Sequence, residues 1–100
     1  MKVRFTARSV RARLDDLETE ALTVLGHPQT LTVPFPGGHW TLTLQPGDHD
    51  RARGQGGTLT VTLGPATRAR LADPREEGVE LRTDDTRILV EKDYGPQHLT

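Results

Sequence analysis

At 100 residues, of which 33% are hydrophobic, the chain is long enough for one domain with a small core and too short for two. The absence of cysteine excludes disulfides and thiolate metal sites and fits a reducing cytoplasm. A formal net charge of −1 gives the whole molecule no bulk attraction for nucleic acid, and no apolar run approaches transmembrane length.

The opening residues, MKVRFTARSV, lack the apolar run of a signal peptide. Val3 and Phe5 alternate with Lys2, Arg4 and Thr6, and then Val10, Ala12 and Leu14 alternate with Arg11 and Arg13. The apolar phase switches between Phe5 and Val10. A hairpin turning at Ala7-Arg8 explains the switch, with Phe5 facing Val10 and Val3 facing Ala12. A single strand with a bulge explains it too, and Ala-Arg is poor chemistry for a primed turn.

Asp15–Leu25 predicts a helix. Asp15 or Asp16 can cap it, Glu18 and Glu20 suit its positive end, and Gly26 and Pro28 follow its end. Leu14, Leu17, Ala21, Leu22 and Leu25 recur at helical spacing. Residues Gln29–Gln45 then alternate apolar and threonine around Gly37-Gly38. The expected hairpin sets Phe35 against Trp40, Val33 against Leu42 and Leu31 against Leu44. Pro34 and Pro36 have no N–H, which favours a four-residue loop from Pro36 to His39 and an edge position for the strand carrying Pro34.

Pro46–Gly57 reads as loop, or as a weak strand near 49–53 followed by a turn at 54–57. Thr58–Leu63 is a strand with Leu59, Val61 and Leu63 on one face. Pro65–Ala72 predicts a short helix with proline at its first position and Ala66, Ala69 and Leu71 available to face inward. Val79–Arg82 and Thr86–Asp93 predict a hairpin at Asp84-Asp85, with Leu81 against Ile88 and Val79 against Val90. Ile88-Leu89-Val90 is apolar on both faces, which places that strand inside its sheet. Gly95–Thr100 is expected as a loose tail, leaving one domain over residues 1–94. No internal repeat is evident. These elements predict an α+β fold: a single domain with a mostly antiparallel sheet of about six strands and two short helices on its core face.

Met1–Leu14 and Thr86–Tyr94 (TRILVEKDY) resemble the ends of a family of small uncharacterised bacterial proteins. Those proteins start like MKIRIKGNSIRLRL and carry an RILVEKDF-like segment, and Pro65–Arg70 resembles their Pro-Ala-x-x-x-Arg stretch. The family often has Gly-Asn where this chain has Ala7-Arg8, which supports the hairpin. The resemblance implies no activity and no catalytic residue.

Several residue sets carry candidate chemistry. In the hairpin, Arg4 sits opposite Arg11 and Lys2 opposite Arg13. Like charges directly opposite destabilise, so a bound anion can compensate, or Glu91 and Asp93 of the last strand can pair with the cations internally. Eleven arginines against two lysines suit planar anions, and a GC-rich genome produces the same bias. Asp48-His49-Asp50, with His39, matches no metal-binding spacing. Gly54-Gln55-Gly56-Gly57 precedes a strand, not a helix, so it reads as a turn and not a phosphate loop. Ser9 and the histidines form no catalytic arrangement above background. Trp40 and Tyr94 are candidate anchors for association, although Trp40 packing on Phe35 in the core is the favoured explanation.

The expected function is a non-enzymatic cytoplasmic binding or protein-interaction module whose partner is an unidentified protein or a second copy. The alternative is a small-anion or nucleotide-binding domain using Lys2, Arg4, Arg11 and Arg13. Neither cofactor nor metal is expected, and nucleic acid and membranes are not expected partners.

Overall fold

The structure, a computed structural model, describes residues 1–93; the expected tail and Tyr94 lie outside the described residues. Two-residue turns fold most of the chain into antiparallel hairpins. β1 (Lys2–Phe5) returns as β2 (Ser9–Leu14), and β3 (Gln29–Phe35) as β4 (Gly38–Pro46). β5 (Arg51–Gln55) returns as β6 (Thr58–Leu63), and β7 (Gly78–Thr83) as β8 (Thr86–Lys92). Helix α1 (Asp16–Thr23) joins the first hairpin to the second, and α2 (Pro65–Ala72) the third to the fourth.

The hairpins combine differently from the expectation. Instead of about six mostly antiparallel strands, eight strands form two four-stranded mixed sheets, in the orders β1-β2-β8-β7 and β3-β4-β6-β5. Each sheet is two antiparallel hairpins joined by a central parallel pair, β2 with β8 and β4 with β6. A hairpin alone buries too little to persist, and each gains its second neighbour from the other half of the chain.

That arrangement is an internal duplication. Residues 2–46 and 51–92 each run strand, strand, helix, strand, strand, and exchanging the two halves carries one sheet order into the other. The registers agree. Leu14 and Leu63 end the second strand of each half, Ala12 pairs with Val90 as Val61 pairs with Leu44, and Leu22 and Leu71 fill equivalent helix positions. Leu14, Leu63, Leu22 and Leu71 are all fully buried. The repeat passes unnoticed in the sequence because aligned positions share little beyond Arg4/Arg53, Leu14/Leu63, Leu22/Leu71 and Leu31/Leu81.

The first and fourth hairpins have the expected partners, Phe5 with Val10 and Val3 with Ala12, then Leu81 with Ile88 and Val79 with Val90. The second is displaced by two residues. Val33 faces Trp40, Leu31 faces Leu42 and Gln29 faces Leu44, around a turn at Pro36-Gly37. The two-residue slip preserves which side chains share a face. Proline followed by a residue at positive φ is the type II turn pattern, and Gly37 has φ 91°. Thr41 N–H donates to Gly57 O (2.7 Å), so alternation turns the backbone of Trp40, not that of His39, toward β3. Pro34, opposite His39, therefore has its nitrogen on the outer side of β3, which is an edge strand.

Helix α1 begins with a capping box. Glu18 N–H donates to Asp15 Oδ1 (2.8 Å), and Asp15 N–H donates to Glu18 Oε1 (3.0 Å). It ends before the predicted Leu25, where Gly26 takes φ 73° and His27 N–H donates to Ala21 O (2.8 Å). Its apolar stripe is narrower than expected: Leu22 is buried, whereas Leu17 and Leu25 are 77% and 57% exposed. Helix α2 has its predicted limits and Pro65 in its first turn, but only Leu71 turns inward, Ala66 and Ala69 being exposed. The two helices pack on each other where the halves meet.

Candidate functional site

On the first sheet, Val3, Val10, Ala12, Val79, Leu81, Ile88 and Val90 turn toward the core. Strand alternation then places Lys2, Arg4, Arg11, Arg13, Arg82, Arg87, Leu89, Glu80 and Glu91 on the outer face. The predicted cation set is assembled as expected, with Lys2 beside Arg13 and Arg4 beside Arg11. The neighbour of β2 is β8, so Arg13 meets Glu91 across the parallel pair.

Carboxylates bridge these cations. Glu91 Oε1 lies 3.3 Å from Arg11 Nε and 3.5 Å from Arg13 Nε, and Lys2 Nζ lies 3.3 Å from Asp93 Oδ2. The Arg11 Nε is shielded from solvent yet makes no aligned hydrogen bond, so its contact with Glu91 is coulombic. Toward the β7 edge of the same face, Glu80 accepts from Arg87 Nη2 (2.8 Å) and Arg82 Nε (3.1 Å). Those hydrogen bonds, Arg87's first, lower the Glu80 pKa, and Glu80 raises that of Arg87. The side chains of these pairs are at least partly exposed to solvent, so each pair stabilises the fold only slightly.

The pairing is incomplete. Arg4 is exposed and has no ion-pair partner among the described residues, and the Lys2 side chain is 80% exposed despite its contact. Lys2, Val3, Arg4, Arg11 and Arg13 line a shallow concavity of about 160 Å³. Arg82 and Arg87 extend this basic face and were missed in the sequence. Their alternation with Leu81 and Ile88 was a usable signal, but the adjacency of β2 and β8 was not.

The second sheet presents a different surface. Thr30 pairs with Thr43 (3.2 Å) and Thr32 with Thr41 (3.3 Å) through their hydroxyls, and Gln45 Nε2 donates to Thr62 Oγ1 (3.1 Å). Exposed Arg51 and Arg53 occupy the β5 positions equivalent to Lys2 and Arg4.

The remaining candidates are placed as follows. Trp40 is half-buried against the core, and its ring meets Phe5 edge-on at 4.4 Å, not Phe35, which is 53% exposed. Asp50 of the Asp48-His49-Asp50 loop accepts Gly64 N–H on Oδ1 (2.7 Å) and the Thr67 hydroxyl on Oδ2 (2.6 Å), capping α2. Among the described residues no three His, Asp or Glu side chains group as a metal site. The Ser9 hydroxyl bonds that of Thr6 (2.6 Å). His27, His39 and His49 lie after α1, in β4 and in the β4–β5 loop, while His98 lies outside the described residues. Gly56, with φ 60°, turns β5 into β6. No helix among the described residues is long and apolar enough to cross a membrane.

No solved structure matches the chain. A family model covers residues 1–97, and by that match the chain belongs to a family of unknown function, DUF7009.

Proposed function

We propose that this chain is a non-enzymatic binding module of the bacterial cytoplasm that takes an acidic protein segment on the outer face of its first sheet. The observation carrying this reading is the charge imbalance on that face. Lys2, Arg4, Arg11, Arg13, Arg82 and Arg87 outnumber Glu80, Glu91 and Asp93, although the whole chain carries a formal charge of −1. Arg4 and the outer part of Lys2 are the contact points, because Glu91 already engages Arg11 and Arg13. A flat, exposed cationic face suits electrostatic docking more than enclosure of a substrate.

A second reading, a small anion such as phosphate, is favoured by the concavity between Lys2, Arg4, Arg11 and Arg13. Thermal unfolding separates the two. The wild type and Arg4→Ala/Arg11→Ala are melted with phosphate, sulfate, nucleotides or a glutamate-rich peptide, with chloride as the ionic-strength control. A ligand about a hundredfold above its dissociation constant adds about 2.7 kcal/mol, several degrees in a domain of this size. A shift with the peptide alone, lost in the double variant, supports docking of an acidic segment. A shift with phosphate supports the anion reading. No shift with any ligand, and a double variant melting lower in every buffer, makes the face structural.

A further inference from the structure

The duplication gives the molecule two equivalent seams between its sheets, and they differ. At one, β5 and β7 run against each other, with Val79 and Leu81 only 5% and 6% exposed. At the other, β1 and β3 come together less closely. Leu31, the counterpart of Leu81, is half-buried, while Phe5, Val33 and Phe35 are 50%, 43% and 53% exposed. Trp40 forms the floor there through its contact with Phe5.

The two edges of this open seam are unequal. Pro34 has no donor to offer along the outer side of β3. β1 contains no proline. Thr6 N–H donates to Ser9 O (3.0 Å), which fixes the alternation of the first hairpin. Lys2 and Arg4 direct their backbone groups to β2, and the N–H and C=O of Val3 and Phe5 point outward from the edge.

We infer that β1 accepts an added antiparallel strand from a partner protein, an extended segment in which acidic and apolar residues alternate. The inference rests on the reading that the ligand is an acidic protein segment, and deepens it by giving the docking mode. In this geometry the apolar side chains of the segment enter the seam beside Phe5 and Val33. Its acidic side chains fall on the outer face beside Lys2 and Arg4. A second copy of β1 fits poorly, because self-pairing would set Lys2 and Arg4 against the same cations.

The test uses a short peptide of alternating Glu and Val on the full chain. In antiparallel addition the valines lie opposite Val3 and Phe5 and supply the bonding amides, while the glutamate amides face away. Backbone N-methylation at valine should weaken binding at least tenfold, and N-methylation at glutamate should leave it within about twofold. The Val3 and Phe5 amides should gain at least tenfold protection from hydrogen exchange. Val3→Pro, which removes an outward donor and leaves the β1–β2 bonds intact, should abolish binding while its circular dichroism remains native.

Equal effects of the two methylation patterns, or unprotected Val3 and Phe5 amides, overturn strand addition. If Arg4→Ala/Arg11→Ala still weakens that binding, docking on the face survives without it. If the valine pattern holds but the double variant binds normally, strand addition stands and the electrostatic reading falls. Absence of binding by the unmethylated peptide at millimolar concentration overturns the inference. Protection of these amides in a peptide-free dimer overturns it in favour of a second copy.

Discussion

Asp50 caps a helix that starts beyond the next hairpin: its carboxylate takes the Gly64 N–H at 2.7 Å and the Thr67 hydroxyl at 2.6 Å. Gly64, the N-cap residue, has no side chain to perform this task. The equivalent position in the first half is Asp15, which caps α1 locally. Asp50→Ala should therefore destabilise the fold by about 1–2 kcal/mol, the scale of a lost cap. Asp50→Asn, which keeps one acceptor, should cost less. Urea denaturation of the two variants measures this, and equal stability of Asp50→Ala and the wild type would show that the cap contributes nothing.

The two buried leucines of the duplicated helices should be costly at both positions. Leu22→Ala and Leu71→Ala each remove side-chain volume from a fully buried site, at about 2–5 kcal/mol per substitution. Against the roughly 5–15 kcal/mol typical of a domain, a combined loss of about 4–10 kcal/mol should remove most of the stability in the double variant. Circular dichroism and urea titration report both results.

Trp40 is the chain's single tryptophan, so its fluorescence reads the seam directly. Phe5→Ala removes the ring lying edge-on to it and should shift its emission to longer wavelength. Phe35→Ala should leave the emission nearly unchanged, because Phe35 pairs with Gly38. The reverse pattern would restore the register in which Phe35 faces Trp40.

Asp73 accepts from Arg75 through the Arg75 N–H, Nε and Nη2, and chiefly the side-chain hydrogen bond from Arg75 holds its pKa down at about 2 against an ordinary 3.8. A carboxyl depressed by folding contributes stability above its unfolded pKa and loses it as pH falls through the folded one. The contribution of Asp73 is thus complete above about pH 4 and fades toward pH 2. Carbon-detected NMR titration should place the Asp73 midpoint near 2 in the wild type and raise it in Arg75→Ala, though not fully to its ordinary value, because the N–H of residue 75 still donates to Asp73.

Asp84, at φ 48°, is the non-glycine residue with a left-handed backbone among those described. Aspartate, asparagine and glycine tolerate that region, and other residues pay about 1–2 kcal/mol. Asp84→Asn is expected to be close to neutral and Asp84→Val to lose about that amount in urea denaturation.

Features governed by neighbours in sequence were legible. Alternation of apolar residues gave the cross-strand partners of the first and fourth hairpins, and Pro65 marked the start of α2. Competing turn signals moved the second hairpin: Gly37-Gly38 looked like the closing pair, while Pro36-Gly37 satisfies the turn and spares the donors of the ladder. The parallel joins left no local trace, since Val10 and Ile88 meet only after the whole chain has folded. The candidate face divided along the same line. The alignment of Lys2, Arg4, Arg11 and Arg13 followed from local pattern, and complementary charge pointed to Glu91 and Asp93, but the contacts of Glu91 with Arg11 and Arg13 form only because β2 and β8 are neighbours. Inclusion of Arg82, Glu80 and Arg87 required knowing which hairpins share a sheet.

Because β2 borrows β8 and β4 borrows β6, neither half of the chain holds a finished layer. Each half is to the other what one subunit of an interlocked dimer is to its mate. Cutting the connection between β4 and β5 would leave two fragments, each exposing two orphaned hairpins when alone and each complementing the other when mixed. Folding of the intact chain must wait for ends far apart in sequence to meet, so closure of the β2–β8 pair should govern its rate.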